Sequence, residues 1–401
     1  MAKRKSAATA KPLDENAAVR LVTEMMAIPG KSGEEKAVSE FITKKLRDAG
    51  VAASAITTDS AHKKSRIGGQ VGNLICKLPG TVRGPRRLMM AHIDTVPLCV
   101  GCEPVRDGSI IRPKKPTTAL GGDDRAGASV VLTAALQILK NNLPHPPLTL
   151  FWPVQEEVGL VGARNVSVSK LGKPKLAFNW DGGPANLLVI GATGDVAIEI
   201  DIEGIASHAG AHPEDGVSAA AIASLAIADL VENGWHGLIQ KGRNAGTSNI
   251  GFVSGGEATN VVMPNLKLKA EARSHDTNFR ERIVKEIRKA FERAAKKLKN
   301  AAGKRGSVSF WSDLKYESFA LDPKEESVQT ARAAVESLGM EPELRICNGG
   351  LDANWMTAHG IPTVTMGCGQ DGIHTVNERL HVDSFLQACA VGLKLATGQE
   401  S

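Results

Sequence analysis

The sequence predicts an α/β protein: a mostly parallel-sheet domain with helices on both faces, interrupted by an inserted α+β domain. Three observations carry this. Short buried-type apolar runs alternate with long helical stretches in the first half. Near residue 194 the pattern switches to strict apolar–polar alternation, the mark of an antiparallel sheet with one solvated face. After about residue 318 the first pattern returns. The 401 residues leave room for two domains of roughly 100–200 residues each. The expected organisation is a discontinuous domain, 13–193 with 318–401, and an inserted one, 194–317.

Apolar spacing predicts a first helix over 14–28, "DENAAVRLVTEMMAI". In "KSGEEKAVSEFITKKLRDAGV", Ser32 with Glu35 reads as a capping box opening a second helix, which Gly50 ends. "VGNLICKLPG" and "RRLMMAHIDTV" read as strands joined by a turn, "DRAGASVVLTAALQILKN" (124–141) as a helix, and "LTLFWPV" and "KLAFNW" as buried strands. In "DVAIEIDIEG", Val196, Ile198, Ile200 and Ile202 share one face. An Ala-rich helix (217–232), strands "SNIGFVSGG" and "NLKLKAEARS", a basic helix (279–299) and strand "SVSFWSDLKY" follow. The order strand–helix–strand–strand–helix–strand predicts a four-stranded, ferredoxin-like unit. Helix 324–338, strand "IPTVTMGC" (361–368) and a helix from about Asp383 restore the α/β style.

Composition narrows the function. A hydrophobic fraction of 42% and a charged fraction of 23% are those of an ordinary soluble globular protein. Aromatics at 4%, with one tyrosine, argue against stacking platforms for single-stranded nucleic acid. The net charge of +6 is uneven. "MAKRKSAATAK" is basic and small-residue-rich, so residues 1–12 are expected to be a disordered tail, without the apolar core of a secretory signal. The basic stretch 285–305 alternates with acids and apolars at helical spacing and reads as a solvated face. No nucleic-acid partner is therefore expected. No run reaches the roughly 18 apolar residues of a membrane helix. Six cysteines without an export signal read as reduced thiols of a cytoplasmic protein. "CVGC" at 99–102 has no second CxxC and reads as structural.

In open parallel sheets, ligands bind beyond the carboxyl ends of the strands. Four apolar runs end in ligand-type residues: "LMMAHIDTVP" in His92 and Asp94, "FWPVQEEVG" in Glu156 and Glu157, "LAFNWDGG" in Asp181, and "TVTMGCGQDGIHTVNE" in His374. "LGGDDRAGAS" puts Asp123 and Asp124 just before a helix. His92 and Asp94, two apart on a strand, point the same way. Either both are ligands, or Asp94 orients a metal-binding His92. A dry cleft cannot hold up to six carboxylates without cations. Mixed histidine and carboxylate ligation suits zinc, with manganese or cobalt as alternatives. A carboxylate shared between two ions would make a two-metal hydrolytic site.

These residues sit in "AHIDTVP", "LGGDDRAG", "PVQEEVGLVGA", "FNWDGG", "SHAG", "NGGLDA" and "GIHTVNE". In this order, across nearly the whole chain, they resemble the co-catalytic di-zinc exopeptidases and amidohydrolases that include peptidase T, glutamate carboxypeptidase and the aminoacylases. "FNWDGG" and "NGGLDA" are most similar to the peptidase T branch. The resemblance implies that His92 and Asp181 bind one zinc ion, Glu157 and His374 the second, and that Asp123 bridges both. It implies Glu156 as general base taking the proton of a zinc-bridging water to leave hydroxide, Asp94 as the residue holding His92, and a cis Asp123–Asp124 bond. The inserted domain resembles the family's lid, which also carries a homodimer contact. There His208 would stabilise the oxyanion, and Asn260 and Arg273 would bind substrate; in the returning part of the first domain the N–H of Gly350 would also contact it. The expected activity is metal-dependent hydrolysis of short peptides. The same core motifs serve amidohydrolases of N-acyl amino acids and carboxypeptidases. A metal-free scaffold on the same fold is the alternative from another class. "CNGGLDANWM" departs from peptidase T-type sequences by placing Asn348, rather than a basic residue, before the glycine pair.

Overall fold

The computed structural model describes residues 13–399; the expected tail, residues 1–12, lies outside them. The chain divides into two compact units. One runs to Gly191 and takes in Ala320–Cys347 and the chain from Leu351 onward. The other comprises Ala192–Phe319 with Asn348–Gly350.

The centre of the first unit is four parallel strands, in the order Leu148–Trp152, Arg87–Met90, Leu176–Trp180 and Thr363–Met366. Every residue in them is buried, as continuous apolar runs in a sheet covered on both faces require. Because the strands are parallel, their carboxyl ends emerge on one edge. Leu74–Leu78 pairs antiparallel with Leu148–Trp152. The expected strands in "VGNLICKLPG" and "RRLMMAHIDTV" both form, but they are not neighbours in the sheet. The strand rich in fully buried residues takes the place between them, and Leu74–Leu78, which exposes Lys77, lies further out. The helix Gly122–Asn141 is buried along almost its whole length and packs on the C-terminal helix Val382–Thr397.

The second helix is Lys36–Asp48, and the expected capping box does not form. Ser32 Oγ instead donates to Asp94 Oδ2 at 2.7 Å, and Glu35 Oε1 accepts from the Gly33 N–H at 2.7 Å. A buried carboxylate is a stronger acceptor for Ser32 than a helix amide is a donor. A further small sheet, absent from the expectations, joins Gln370–Asp371, Arg379–His381, Ile110–Pro113 and Pro104–Asp107. Its first two strands flank the loop that carries His374.

The second unit holds five antiparallel strands, not the expected four, in the order Gly237–Lys241, Asn244–Gly255, Asn265–Ser274, Gly194–Glu203 and Ser307–Tyr316. The extra strand forms because Lys241 faces Asn244 across Gly242 and Arg243, with Gly242 at φ 65°, a two-residue hairpin turn. Val196, Ile198, Ile200 and Ile202 are buried together with apolar residues of the helices Ala219–Glu232 and Thr277–Lys297. Each such side chain contributes about 1.5–3 kcal/mol. Both helices are capped: Ser218 accepts from the Ala221 N–H and Asp276 from the Phe279 N–H.

Candidate active site

The parallel strands deliver His92, Asp94, Glu156, Glu157 and Asp181 to one edge, where they meet Asp123 and His374. Asp123 stands at the middle of the cluster. Its Oδ1 lies 3.1 Å from His92 Nε2 and its Oδ2 3.1 Å from His374 Nε2. His374 Nε2 is also 2.9 Å from Glu157. Two sets of ligand-type atoms lie within 4.8 Å of one another: His92, Asp123 and Glu157, and His92, Glu156 and Asp181. The Asp123–Asp124 bond is cis.

Asp94 organises the edge. It is fully buried, and its Oδ1 lies 3.3 Å from His92 Nδ1. Oδ1 also accepts the Glu156 N–H at 2.9 Å, and Oδ2 accepts the Glu157 N–H at 3.2 Å. Burial opposes its ionisation, but the neighbouring His92 ring and hydrogen bonds from Ser32 Oγ and the Glu156 amide hold its pKa below the usual range. Behind it, the buried guanidinium of Arg125 donates to Gly30 O at 3.2 Å. Burial lowers the Arg125 pKa to about 10 against the support of Asp94, Glu35 and Asp124.

The chain turns sharply where the strand Leu148–Trp152 gives out. Gln155 has φ 57°, Gly159 φ 109° and Leu160 φ 58°. Adjacent glutamates on a regular strand would face opposite ways; the turn lets both reach the cluster. Gly162 is needed for space, since a Cβ there would meet Val154 O at 2.4 Å.

The electrostatics show a shortage of positive charge. Burial pushes the pKa of Glu156 well up, and the carboxylates of Asp181, Asp352 and Glu157 add to it. Burial and Asp123 do the same to Asp181, and burial raises Asp124. Conversely, Asp123 and Glu157 lift His374 to about 10. His92 is raised despite burial, by Asp123 and Asp94. Protons here fill the place of cations. Oxygen and imidazole donors around a shared aspartate fit divalent metal ions, so the residues present suit the group their types imply.

The four remaining expected residues lie in the second unit. His208 Nδ1 accepts the N–H groups of Gly210 (3.2 Å) and Ala211 (3.0 Å). This fixes the neutral tautomer with its proton on Nε2. Asn260 lies on the loop beside it: Asn260 O accepts the Ala209 N–H, and His208 bridges to Val261. Arg273 already holds Glu271 through Nε and Nη2, both at 2.9 Å, while Nη1 faces Tyr316 Oη and Asn348 O. Gly350 packs on the Tyr316 ring, which a Cβ would meet at 2.3 Å. The departure at Asn348 is occupied too: its Oδ1 lies 2.9 Å from His275 Nε2.

Sequence reasoning missed several residues of the first unit. The spacing of Ser32 and Glu35 predicts a helix cap, and Ser32 binds Asp94 instead. Gln370 and Glu378 reach back to the Asp123 loop. Asp352 is 1% exposed, and neither of its oxygens has a hydrogen bond among the described residues. Asp352 and Glu378 both lay inside quoted motifs, "NGGLDA" and "GIHTVNE", but nothing local marked their contacts.

Residues 88–397 match the family model described as "Peptidase family M20/M25/M40". The chain is 31% identical over 365 residues to the protein YqjE of Bacillus subtilis (strain 168), covering 91% of this chain and 93% of that one. The fold superposes on a tripeptidase from Staphylococcus aureus with a TM-score of 0.87 at 28% identity, covering 97% and 99% of the two chains. It superposes on the aminopeptidase PepT from Bacillus cereus with a TM-score of 0.83 at 30% identity, covering 97% and 100%.

Proposed function

The chain belongs to peptidase family M20/M25/M40, and on that premise we propose that it is a two-metal exopeptidase removing residues from short peptides with a free amino terminus. One observation carries the two-metal reading: the two oxygens of Asp123 face two different histidines, each at 3.1 Å. The aminopeptidase reading follows the tripeptidase and PepT likenesses.

His92 and Asp181 would hold one ion, Glu157 and His374 the other, and Asp123 both; zinc suits the donors, as do manganese and cobalt. When bound, such ions lower the pKa of water and polarise a carbonyl. The chain's own residues do the rest. Asp94 keeps the His92 ring oriented. Glu156 takes the proton of the attacking water and returns it to the leaving amine. The Nε2–H of His208 donates to the carbonyl oxygen as charge develops on it. Asn260 and the Gly350 N–H contact the peptide. Arg273 meets a substrate carboxylate through Nη1, which exchanges its longer contacts with Tyr316 Oη (3.3 Å) and Asn348 O (3.5 Å) for it while Glu271 holds the rest of the fork.

The assembly is read as a homodimer through the second unit. The strand Asn244–Gly255 is paired along one side by Asn265–Ser274, but on the other only as far as Ser248. Phe252 and Val253 stand 45% and 54% exposed beyond that point, an open apolar edge. Cytoplasmic placement follows from the cysteines: Cys76, Cys99, Cys102, Cys368 and Cys389 form no disulfide among the described residues. No helix among the described residues is long and apolar enough to cross a membrane.

The deciding experiment compares free, N-acetylated and C-amidated di- and tripeptides on the metal-loaded protein. Cleavage that needs the free amine is expected. Cleavage of acylated peptides at equal rates would overturn the aminopeptidase reading in favour of an amidohydrolase.

A further inference from the structure

We infer that Glu378 is a positioning residue that holds Asp123 in its bridging orientation; the inference rests on the two-metal reading above. Glu378 is 1% exposed. Its Oε2 accepts the N–H groups of Leu120 and Gly121, both at 2.8 Å, and its Oε1 accepts that of Asp123 at 3.0 Å. A buried carboxylate persists where it is hydrogen-bonded, and charged acceptors make the stronger bonds. Three donors from one turn thus converge on a single side chain.

The turn needs such an anchor. Gly121 has φ 76°, and Asp123 and Asp124 depart from helical backbone angles (ψ 104° and φ −121°), so the helix that follows does not fix them. The Asp123 carboxylate faces a histidine with each oxygen, so its aim must be set from the backbone side. Glu378 does this at the residue's own amide. Gln370 grips the same turn from another direction. Its Nε2 donates to Gly122 O and Asp124 Oδ1, both at 2.8 Å, and its Oε1 accepts the N–H of Gly182, next to Asp181, at 3.1 Å.

His374 lies between Gln370 and Glu378 in sequence. One short segment therefore supplies a ligand-type histidine and two grips on the turn that carries the shared aspartate, of which that of Glu378 reaches Asp123 itself. Glu378 couples the two: its carboxylate keeps the Asp123 turn in register with the loop that presents His374. Close approach is possible because residue 122 is glycine, where an added Cβ would come within 3.2 Å of Glu378 Oε1. Gln at 378 keeps the volume but sets an NH2 group against N–H donors. Asp keeps the charge and falls one methylene short.

The test titrates cobalt(II) into metal-stripped full-length protein, wild type and the E378Q, E378A and E378D variants, read by calorimetry and by the visible absorption of bound cobalt. Wild type is expected to bind two ions. E378Q and E378A should weaken at least one of them by about 10–100-fold, the range for partners outside the ligand shell, and E378D should recover part of the loss. A merely structural role predicts a lower Tm for the stripped variants with both cobalt affinities unchanged, and that result overturns the inference. Should E378Q and E378A not fold, E378D decides: weaker cobalt binding supports the inference and unchanged binding overturns it. Failure of wild type to bind two ions would overturn the two-metal reading instead.

Discussion

Glu156 and Glu157 are adjacent, share one acceptor for their amides in Asp94, and still face different company. Both group with His92, but Glu157 does so with Asp123 and also meets His374 at 2.9 Å, while Glu156 does so with Asp181. The turn at Gln155 and the two-pronged hold of Asp94 create this division. It leads to a sharp expectation: E156Q keeps two metal ions per chain and loses about 10²–10⁴ in kcat, the usual contribution of a general base. Metal loss in E156Q, measured by elemental analysis, would exchange the roles of the two residues. His208 is argued likewise from its tautomer. With Nδ1 accepting two amides, Nε2–H is the free donor. H208A should cost about 10²–10³ in kcat, comparable to an oxyanion-hole donor, with KM little changed; steady-state kinetics showing a change in KM alone would place it in binding.

At the scale of elements, the strand Asn244–Gly255 makes the next prediction. A lysine within an apolar sheet edge discourages pairing with a second edge. V253K should convert the expected dimer to monomer, as read by sedimentation equilibrium; a monomeric wild type would sink the homodimer. Elements are also where the sequence was most and least readable. The buried runs ending at Met90, Trp152, Trp180 and Met366 announced their strands through continuous apolar composition, and the acids after them announced the edge. "DVAIEIDIEG" announced its burial through period two. The hairpin strand Gly237–Lys241 and the small sheet around His374 were too short and mixed in composition to carry a period. Ser32 imitated a helix cap because a serine three residues before a glutamate looks the same whether it bonds an amide or, 62 residues away, Asp94. The grip of Glu378 on Asp123 spans 255 residues and leaves no local pattern at all.

Across the whole molecule, the cluster links metal, protons and stability. His374 is raised to about 10 and His92 is raised as well. Each histidine therefore contributes stability that is present below its ordinary pKa near 6.5 and lost as pH rises through its folded value. Glu156, Asp181 and Asp124 are raised too, so the metal-free native state binds their protons more tightly than the unfolded chain does. Their contribution likewise fades as pH rises above the ordinary carboxylate range. Asp123 and Asp94, held low, act oppositely, but their stabilisation is lost only as pH falls through the acid range. Above about pH 5, the residues that dominate all have the same sign. The metal-stripped protein should therefore lose stability steadily from pH 5 toward pH 9. Bound cations replace these protons, so metal affinity should rise with pH. At a free metal concentration of 1,000 Kd, the gain is about 4 kcal/mol per site. Thermal melts with and without chelator, run across this pH range, should show a gap in Tm that widens with pH. A gap that narrows toward alkaline pH would mean that these raised groups do not give up their protons to metal.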